Sequence, residues 1–109
     1  MKHEIEHSFS FESGHVASHK EGPCSFPHGH SYILIVCCEA FVLQDQCDLV
    51  QAMIDNYFHR KWLNETLKMA APLLDDLAQW IFHFLDCKLS GLKAIKLYDS
   101  PLNFVCYKH

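Results

Sequence analysis

The sequence predicts an α+β domain in which two helices pack on one face of an antiparallel sheet. Apolar and polar residues alternate near the start, two later segments repeat apolar residues at helical spacing, and two short β-type segments close the chain. A period of two is typical of a half-buried strand, and a period near 3.6 of an amphipathic helix. The predicted order is ββααββ, and 109 residues suffice for one hydrophobic core. We therefore expect a single domain spanning residues 1–109.

The first two elements are predicted to be strands joined by a long loop. In residues 3–13 the even positions are only Glu and Ser, whereas the odd positions from 5 onward are Ile, His, Phe, Phe and Ser. His15 continues the odd set and should face the interior. Residues 18–29 contain two prolines and two glycines, which mark a loop. Residues 32–38 have the β-branched composition of a central strand.

Two helices are predicted next. Asp48 is a plausible N-cap for a helix over residues 49–58, and a loop should follow through residues 61–65. Pro72 is expected to open the second helix, whose first turn carries two aspartates at the positive end of the helix dipole. The residues expected to form its buried stripe are Leu74, Leu77, Ala78, Ile81 and Leu85.

Two short strands, 94–98 and 103–108, should close the chain around a turn at Ser100-Pro101. The predicted helices cover one face of the sheet only, and the outward positions of the strands are not strongly polar. We therefore expect self-association, through the sheet edges or through the open face.

Composition excludes several classes of function. The net charge is -4 and no basic patch is present, so nucleic acid is not an expected partner. The first residues are polar and charged, unlike a signal peptide, and the longest apolar runs are too short to span a membrane. A cytoplasmic location follows as the expectation. The six cysteines should then be free thiols, five of them small core residues and Cys24 the exception.

Nine histidines in so short a chain are the main anomaly, and residues 24–30, CSFPHGH, concentrate two of them. His28 and His30 would share one face of an extended segment, and hairpin pairing would bring His15 near them. Three histidines with one open position suit a catalytic zinc, whereas a structural zinc has four protein ligands. Cys24 would then be a fourth ligand or a reactive thiol. In the simpler interpretation the loop histidines are exposed and His15 is a core residue.

Six motifs follow one another along the chain. They are FESGH at 11–15, CSFPHGH at 24–30, LQDQCDL at 43–49, WLN at 62–64, PLLDDLA at 72–78 and YDSP at 98–101. Their order resembles that of the 6-pyruvoyltetrahydropterin synthase and 6-carboxytetrahydropterin synthase family, the latter acting in the queuosine pathway. The second motif matches the family pattern C-x-x-x-H-G-H without a gap.

The resemblance implies a fold, a site and a reaction. The fold would be the tunnelling fold, whose ββααββ units form a barrel as trimers and often hexamers. His15, His28 and His30 would hold Zn²⁺, Cys24 would be the catalytic thiol, and Asp99 would anchor the pterin ring. The substrate would be dihydroneopterin triphosphate, bound at a subunit interface and converted to a 6-pyruvoyl or 6-carboxy tetrahydropterin with loss of triphosphate.

One family feature is altered. The family carries an Asp-His pair before its K-x-L-N segment, which relays protons with the cysteine of the neighbouring subunit. An ungapped alignment puts His59 and Arg60 there, and a one-residue insertion would put Phe58 and His59 there. The acid is missing either way, although Asp55 lies one helical turn before His59 and could orient it.

Each remaining site residue has an alternative role. His59 could interact only with the carbonyls at a helix end, and Asp99 could cap the turn that follows it. The alternative function is a zinc-binding, oligomeric family member that binds pterin-like ligands or a partner without turnover.

Overall fold

The computed structural model describes residues 4–15, 28–39 and 44–108, except for the side chain of His28. The elements in chain order are β1 (Ile5–His15), β2 (His28–Cys38), α1 (Gln44–Met53) with a π-helical continuation (Ile54–Phe58), α2 (Leu63–Thr66), α3 (Leu74–Asp86), β3 (Leu92–Ser100) and β4 (Asn103–Lys108). None of the helices in these ranges is long and apolar enough to cross a membrane.

The four strands form one antiparallel sheet in the order β1-β2-β3-β4, so each strand pairs with its neighbours in sequence. In the β1–β2 hairpin His15 lies opposite His28, and Ser13 lies opposite His30. The predicted α+β class is confirmed, and the main elements follow the predicted ββααββ order with the four-residue α2 added. Both strands of this hairpin extend further toward its loop than the sequence pattern indicated, because pairing continues to the histidines.

The core lies between the sheet and the helices. Its least exposed side chains, none above 1% exposure, include Leu34, Val36, Ile95 and Leu97 from the sheet and Leu77, Ile81 and Leu85 from α3. Four of the five residues predicted for the α3 stripe are buried, and the fifth, Leu74, is half-buried. Burial of this apolar face is the main source of stability, at about 25 cal/mol per Å² removed from water.

The helical region differs from the prediction at three points. The first helix begins at Gln44, and Asp48 lies inside it, where its carboxylate accepts a hydrogen bond from the Gln44 side chain over 3.0 Å instead of capping a helix start. Residues 63–66 form a short helix where a loop was expected. The second predicted helix begins at Leu74 rather than Pro72, and the main-chain N–H of Leu73 donates to the Asp76 carboxylate over 3.4 Å.

On the opposite face of the sheet, several apolar side chains are exposed within the described residues. Ile33 is 39% exposed and Phe104 is 49% exposed, and the Phe104 ring stacks on Tyr98 with 4.6 Å between ring centroids. A surface ion pair joins Lys96 to Glu6 on the same face, over 3.1 Å. This face therefore carries both apolar and charged side chains, in agreement with the prediction that its outward positions are not strongly polar.

The five cysteines in the described part of the chain are free thiols, as predicted, but they are not all core residues. Cys37 and Cys38 are buried and Cys47 is half-buried, whereas Cys87 and Cys106 are exposed. The expectation that five cysteines fill the core is therefore wrong for the last two. Cys87 follows the end of α3, and Cys106 lies on the outermost strand of the sheet.

This difference in exposure predicts which thiols react in the folded protein. Burial, together with the Glu6 carboxylate 3.3 Å from its sulfur, raises the pKa of Cys37 to about 12, and burial also raises the pKa of Cys38. Because the thiolate is the reactive form, iodoacetamide at about pH 8 should label Cys87 and Cys106 before Cys37 and Cys38. Peptide mass spectrometry with and without denaturant tests this. Equal labelling rates for Cys37 and Cys87 in the folded chain would contradict it.

Candidate functional site

The β1–β2 hairpin brings two of the predicted zinc ligands together. His15 ends β1, is only 5% exposed and points to the helix-covered side of the sheet. His30 lies on the same side of β2, and the two rings stack at 25° with centroids 5.3 Å apart. The main chain of His28 lies directly opposite His15. The odd parity that placed His15 inside is therefore confirmed, and the third ligand stays a prediction because its ring is not described.

Tyr32 is a buried residue of this site that the sequence analysis missed. Its hydroxyl lies 3.3 Å from His15 Nδ1, and its ring packs edge-on against His30 at 5.6 Å between centroids. Burial and, to a lesser degree, the negative charge of Asp99 raise the pKa of Tyr32, so its phenol stays neutral. A metal bound to His15 would contact Nε2, because Tyr32 engages the other nitrogen. The sequence could have indicated Tyr32, because it lies two residues after His30 and therefore on the same face of β2.

A turn over residues 58–62 runs along the outer edge of β1 and adds a second wall to the site. The Arg60 N–H donates to the Glu12 carbonyl over 2.6 Å, and the Gly14 N–H donates to the Lys61 carbonyl over 3.1 Å. Arg60 has a left-handed backbone with a φ of 57°, which is uncommon outside glycine and persists where the surroundings fix it. These contacts hold the turn against the strand that ends in His15.

His59 opens this turn, and its ring is oriented by the main chain. The Glu12 N–H donates to His59 Nδ1 over 3.2 Å, so the proton of the neutral ring lies on Nε2. Asp55, which could have oriented His59, instead accepts a hydrogen bond from Gln51 over 3.0 Å. Within the described residues no carboxylate contacts the His59 ring. A strand N–H therefore orients the ring, but it donates to Nδ1, where a carboxylate would accept a proton from it.

The last two predicted site residues have different outcomes. Asp99 is half-buried, and its Oδ1 accepts a hydrogen bond from the Asn103 side chain over 2.9 Å across the turn into β4. Asp99 therefore takes part in the turn, as the alternative role required, and it also lies close enough to Tyr32 to affect its pKa. Cys24 lies outside the described residues, so its role stays a prediction.

A cavity of about 580 Å³ lies beside the histidines. Its walls are residues 12–14 of β1, 29–31 of β2 and 60–62 of the turn. Within the described residues no group of three His, Cys, Asp or Glu side chains is arranged to hold a metal ion. What the described side chains provide is a stacked pair of histidines with the Tyr32 phenol against both rings, and a cavity that His30 lines.

Comparison with known proteins identifies the family. The family model described as 6-pyruvoyl tetrahydropterin synthase matches residues 4–109. A 6-carboxy-5,6,7,8-tetrahydropterin synthase from Synechocystis is 26% identical over an alignment of 110 positions that covers 88% of this chain and 85% of that protein.

Two solved structures show the same fold. The 6-pyruvoyl tetrahydropterin synthase of Caenorhabditis elegans matches with a TM-score of 0.84 and 18% identity, over 100% of this chain and 96% of its own. An uncharacterized protein from Wolinella succinogenes matches with a TM-score of 0.81 and 13% identity, over 100% and 99%. The tunnelling fold implied by the sequence motifs is confirmed, and the chain belongs to the 6-pyruvoyl tetrahydropterin synthase family.

Proposed function

We propose that this chain is a zinc-dependent tetrahydropterin synthase that acts on dihydroneopterin triphosphate and eliminates triphosphate. The observation that carries the proposal is the stacked pair His15 and His30 at the end of a buried hairpin, with the His28 main chain opposite. Family membership and the name of the Synechocystis relative support the reaction class.

The donor set fits zinc. Three imidazoles from adjacent strands, His15, His28 and His30, would hold the ion and leave one position open for substrate. Tyr32 would keep His15 in the correct orientation, in the way that hydrogen bonds to the second ring nitrogen usually do. When bound, zinc would supply a Lewis acid that polarises an oxygen of the substrate side chain.

Proton transfer would fall to Cys24 and His59. While His59 Nδ1 accepts the Glu12 N–H, the neutral ring can only donate, through Nε2–H. To relay a proton, the ring would release the Glu12 N–H, take the proton on Nδ1 and pass on the one on Nε2. Asp99 would accept paired hydrogen bonds from the amino-pyrimidine edge of the pterin, which are strong because the acceptor is charged. Trimers or hexamers with sites at subunit interfaces would bring His59 of one subunit to Cys24 of the next. The edge strands β1 and β4 are the elements available for such pairing.

The test is turnover by the zinc-loaded protein. Dihydroneopterin triphosphate should be consumed, and mass spectrometry should detect either a 6-pyruvoyl or a 6-carboxy tetrahydropterin. Cys24→Ala should lower the rate by about 10²- to 10⁴-fold, the usual contribution of a positioned acid or base. Cys87→Ala, which removes an exposed thiol at the end of α3, is the matched control and should keep the full rate. Absence of turnover with zinc and with other divalent metals would reject the proposal.

The second candidate function is the binding of zinc and pterins without turnover. Since the described residues provide no carboxylate partner for His59, the chain could bind zinc and pterins without converting them. In that case isothermal titration would detect pterin binding to the zinc-loaded protein, and the substrate would be recovered unchanged. Consumption of substrate that depends on Cys24 would exclude this alternative.

A further inference from the structure

We propose that the cavity beside the histidines binds a chain of phosphate groups through Arg60 and Lys61. The inference rests on the proposed function, which it deepens by placing the triphosphate of the substrate at one wall of the site. The cavity has a volume of about 580 Å³ and is formed by residues 12–14, 29–31 and 60–62. It therefore joins the strand ends that carry the histidines to a turn that carries two adjacent cations.

Arg60 and Lys61 bring two positive charges to the cavity, and neither has an ion-pair partner in the described part of the chain. Both side chains are exposed. The described lysine–carboxylate pairs use Glu6 and Glu39, which lie elsewhere on the protein. Two neighbouring cations without counter-charges attract anions to the cavity. A ligand with several negative charges would neutralise both cations.

Glu12 is the only acidic side chain on the described walls, and it does not neutralise these cations. Its Oε1 accepts a hydrogen bond from Ser31 Oγ over 3.4 Å, and it forms no ion pair with Arg60 or Lys61. Two positive charges and one negative charge leave the walls with a formal charge of +1, apart from the histidines. The cavity is thus electropositive in a chain whose net charge is -4.

The backbone that carries the cations is fixed. The Arg60 N–H binds the Glu12 carbonyl over 2.6 Å, and the Lys61 carbonyl accepts the Gly14 N–H over 3.1 Å. A ligand would therefore have to order only the ends of two side chains, which lowers the entropy cost of binding. The planar guanidinium can hold two oxygens of one phosphate, and the ammonium group acts as a point charge on the next.

The position of the cavity also suits a substrate tail. His30 lines the same cavity from β2, so a phosphate chain held by Arg60 and Lys61 would extend from a predicted metal ligand toward the turn. Phosphate recognition would then fix the orientation of the side chain that reacts.

Inorganic tripolyphosphate is the probe that tests the inference without turnover. Isothermal titration would be done on the full chain with and without zinc, because polyphosphate also binds free zinc. Arg60→Gln and Lys61→Gln should each weaken binding about tenfold, the usual size of a charge-assisted contact. Arg60→Lys should restore much of the loss by returning the charge. Lys93→Gln removes an exposed cation remote from the cavity and should bind like the parent.

Comparing the substrate with its unphosphorylated form tests whether Arg60 and Lys61 recognise the phosphate chain of the substrate. Arg60→Gln should weaken the binding of dihydroneopterin triphosphate but leave the affinity for unphosphorylated dihydroneopterin unchanged. Tripolyphosphate affinity that is unchanged in the double Gln variant would overturn the inference. So would an unchanged KM for the triphosphate substrate, and in that case the proposed synthase activity would still stand. Cation-dependent tripolyphosphate binding by a chain that never turns over would support the site and reject the synthase activity.

Discussion

The His30→Ala variant should lose stoichiometric zinc. His30 is half-buried and stacks on His15, so its removal would take one of three predicted nitrogen ligands from a site without a spare donor among the described side chains. Changing a residue that only orients a ligand typically costs about 10- to 100-fold in metal affinity, and loss of a ligand should cost more. Metal analysis of dialysed protein by plasma mass spectrometry gives the zinc content directly.

The control for this experiment is another histidine of the same chain. His83 is exposed on α3 and contacts the hydroxyl of Tyr107 over 3.3 Å, on β4, the sheet edge opposite β1. His83→Ala should therefore keep one zinc per chain. Thermal unfolding of both variants separates metal loss from misfolding. One zinc per chain in folded His30→Ala would contradict the three-histidine assignment, and turnover would need another explanation.

The sequence predicted the placement of His15 and His30 well, because strand parity is a strong constraint. A residue that continues the odd positions of β1 must face the helices, and His15 is indeed only 5% exposed. Hairpin pairing then leaves little freedom for the main chain of His28 and His30. Tyr32 followed from the same parity but was missed, because a tyrosine is not a common zinc ligand and its contact with His15 Nδ1 depends on the paired strands.

The second wall of the site could not be predicted from local patterns. His59 is placed by a π-helical continuation of α1, where its N–H bonds to the Ile54 carbonyl five residues earlier, over 2.7 Å. This wider turn buries both Ile54 and Phe58 completely. Its orienting partner, the N–H of Glu12, is 47 residues distant in sequence. Contacts of this kind depend on tertiary packing, so motif spacing showed only that the acid was missing.

His59→Asn should lower turnover by about 10²- to 10⁴-fold, the range expected when a proton-transfer group is removed. Asparagine is the informative replacement because its side-chain oxygen lies near the position of Nδ1. It should still accept the Glu12 N–H, which now contacts the ring over 3.2 Å, while nothing replaces Nε2. Zinc content and thermal stability should therefore stay close to those of the parent. Steady-state rates at saturating zinc and substrate provide the measurement.

His59→Ala completes the comparison, since it removes both nitrogens and leaves the Glu12 N–H to solvent. If His59 acts only by holding the turn against β1, the asparagine variant should recover the activity that alanine loses. If His59 moves a proton through Nε2, both variants should be equally slow, although only alanine disturbs the turn. Full activity in both variants would remove His59 from the mechanism, because the backbone bonds from Arg60 and Gly14 would then hold this wall without it.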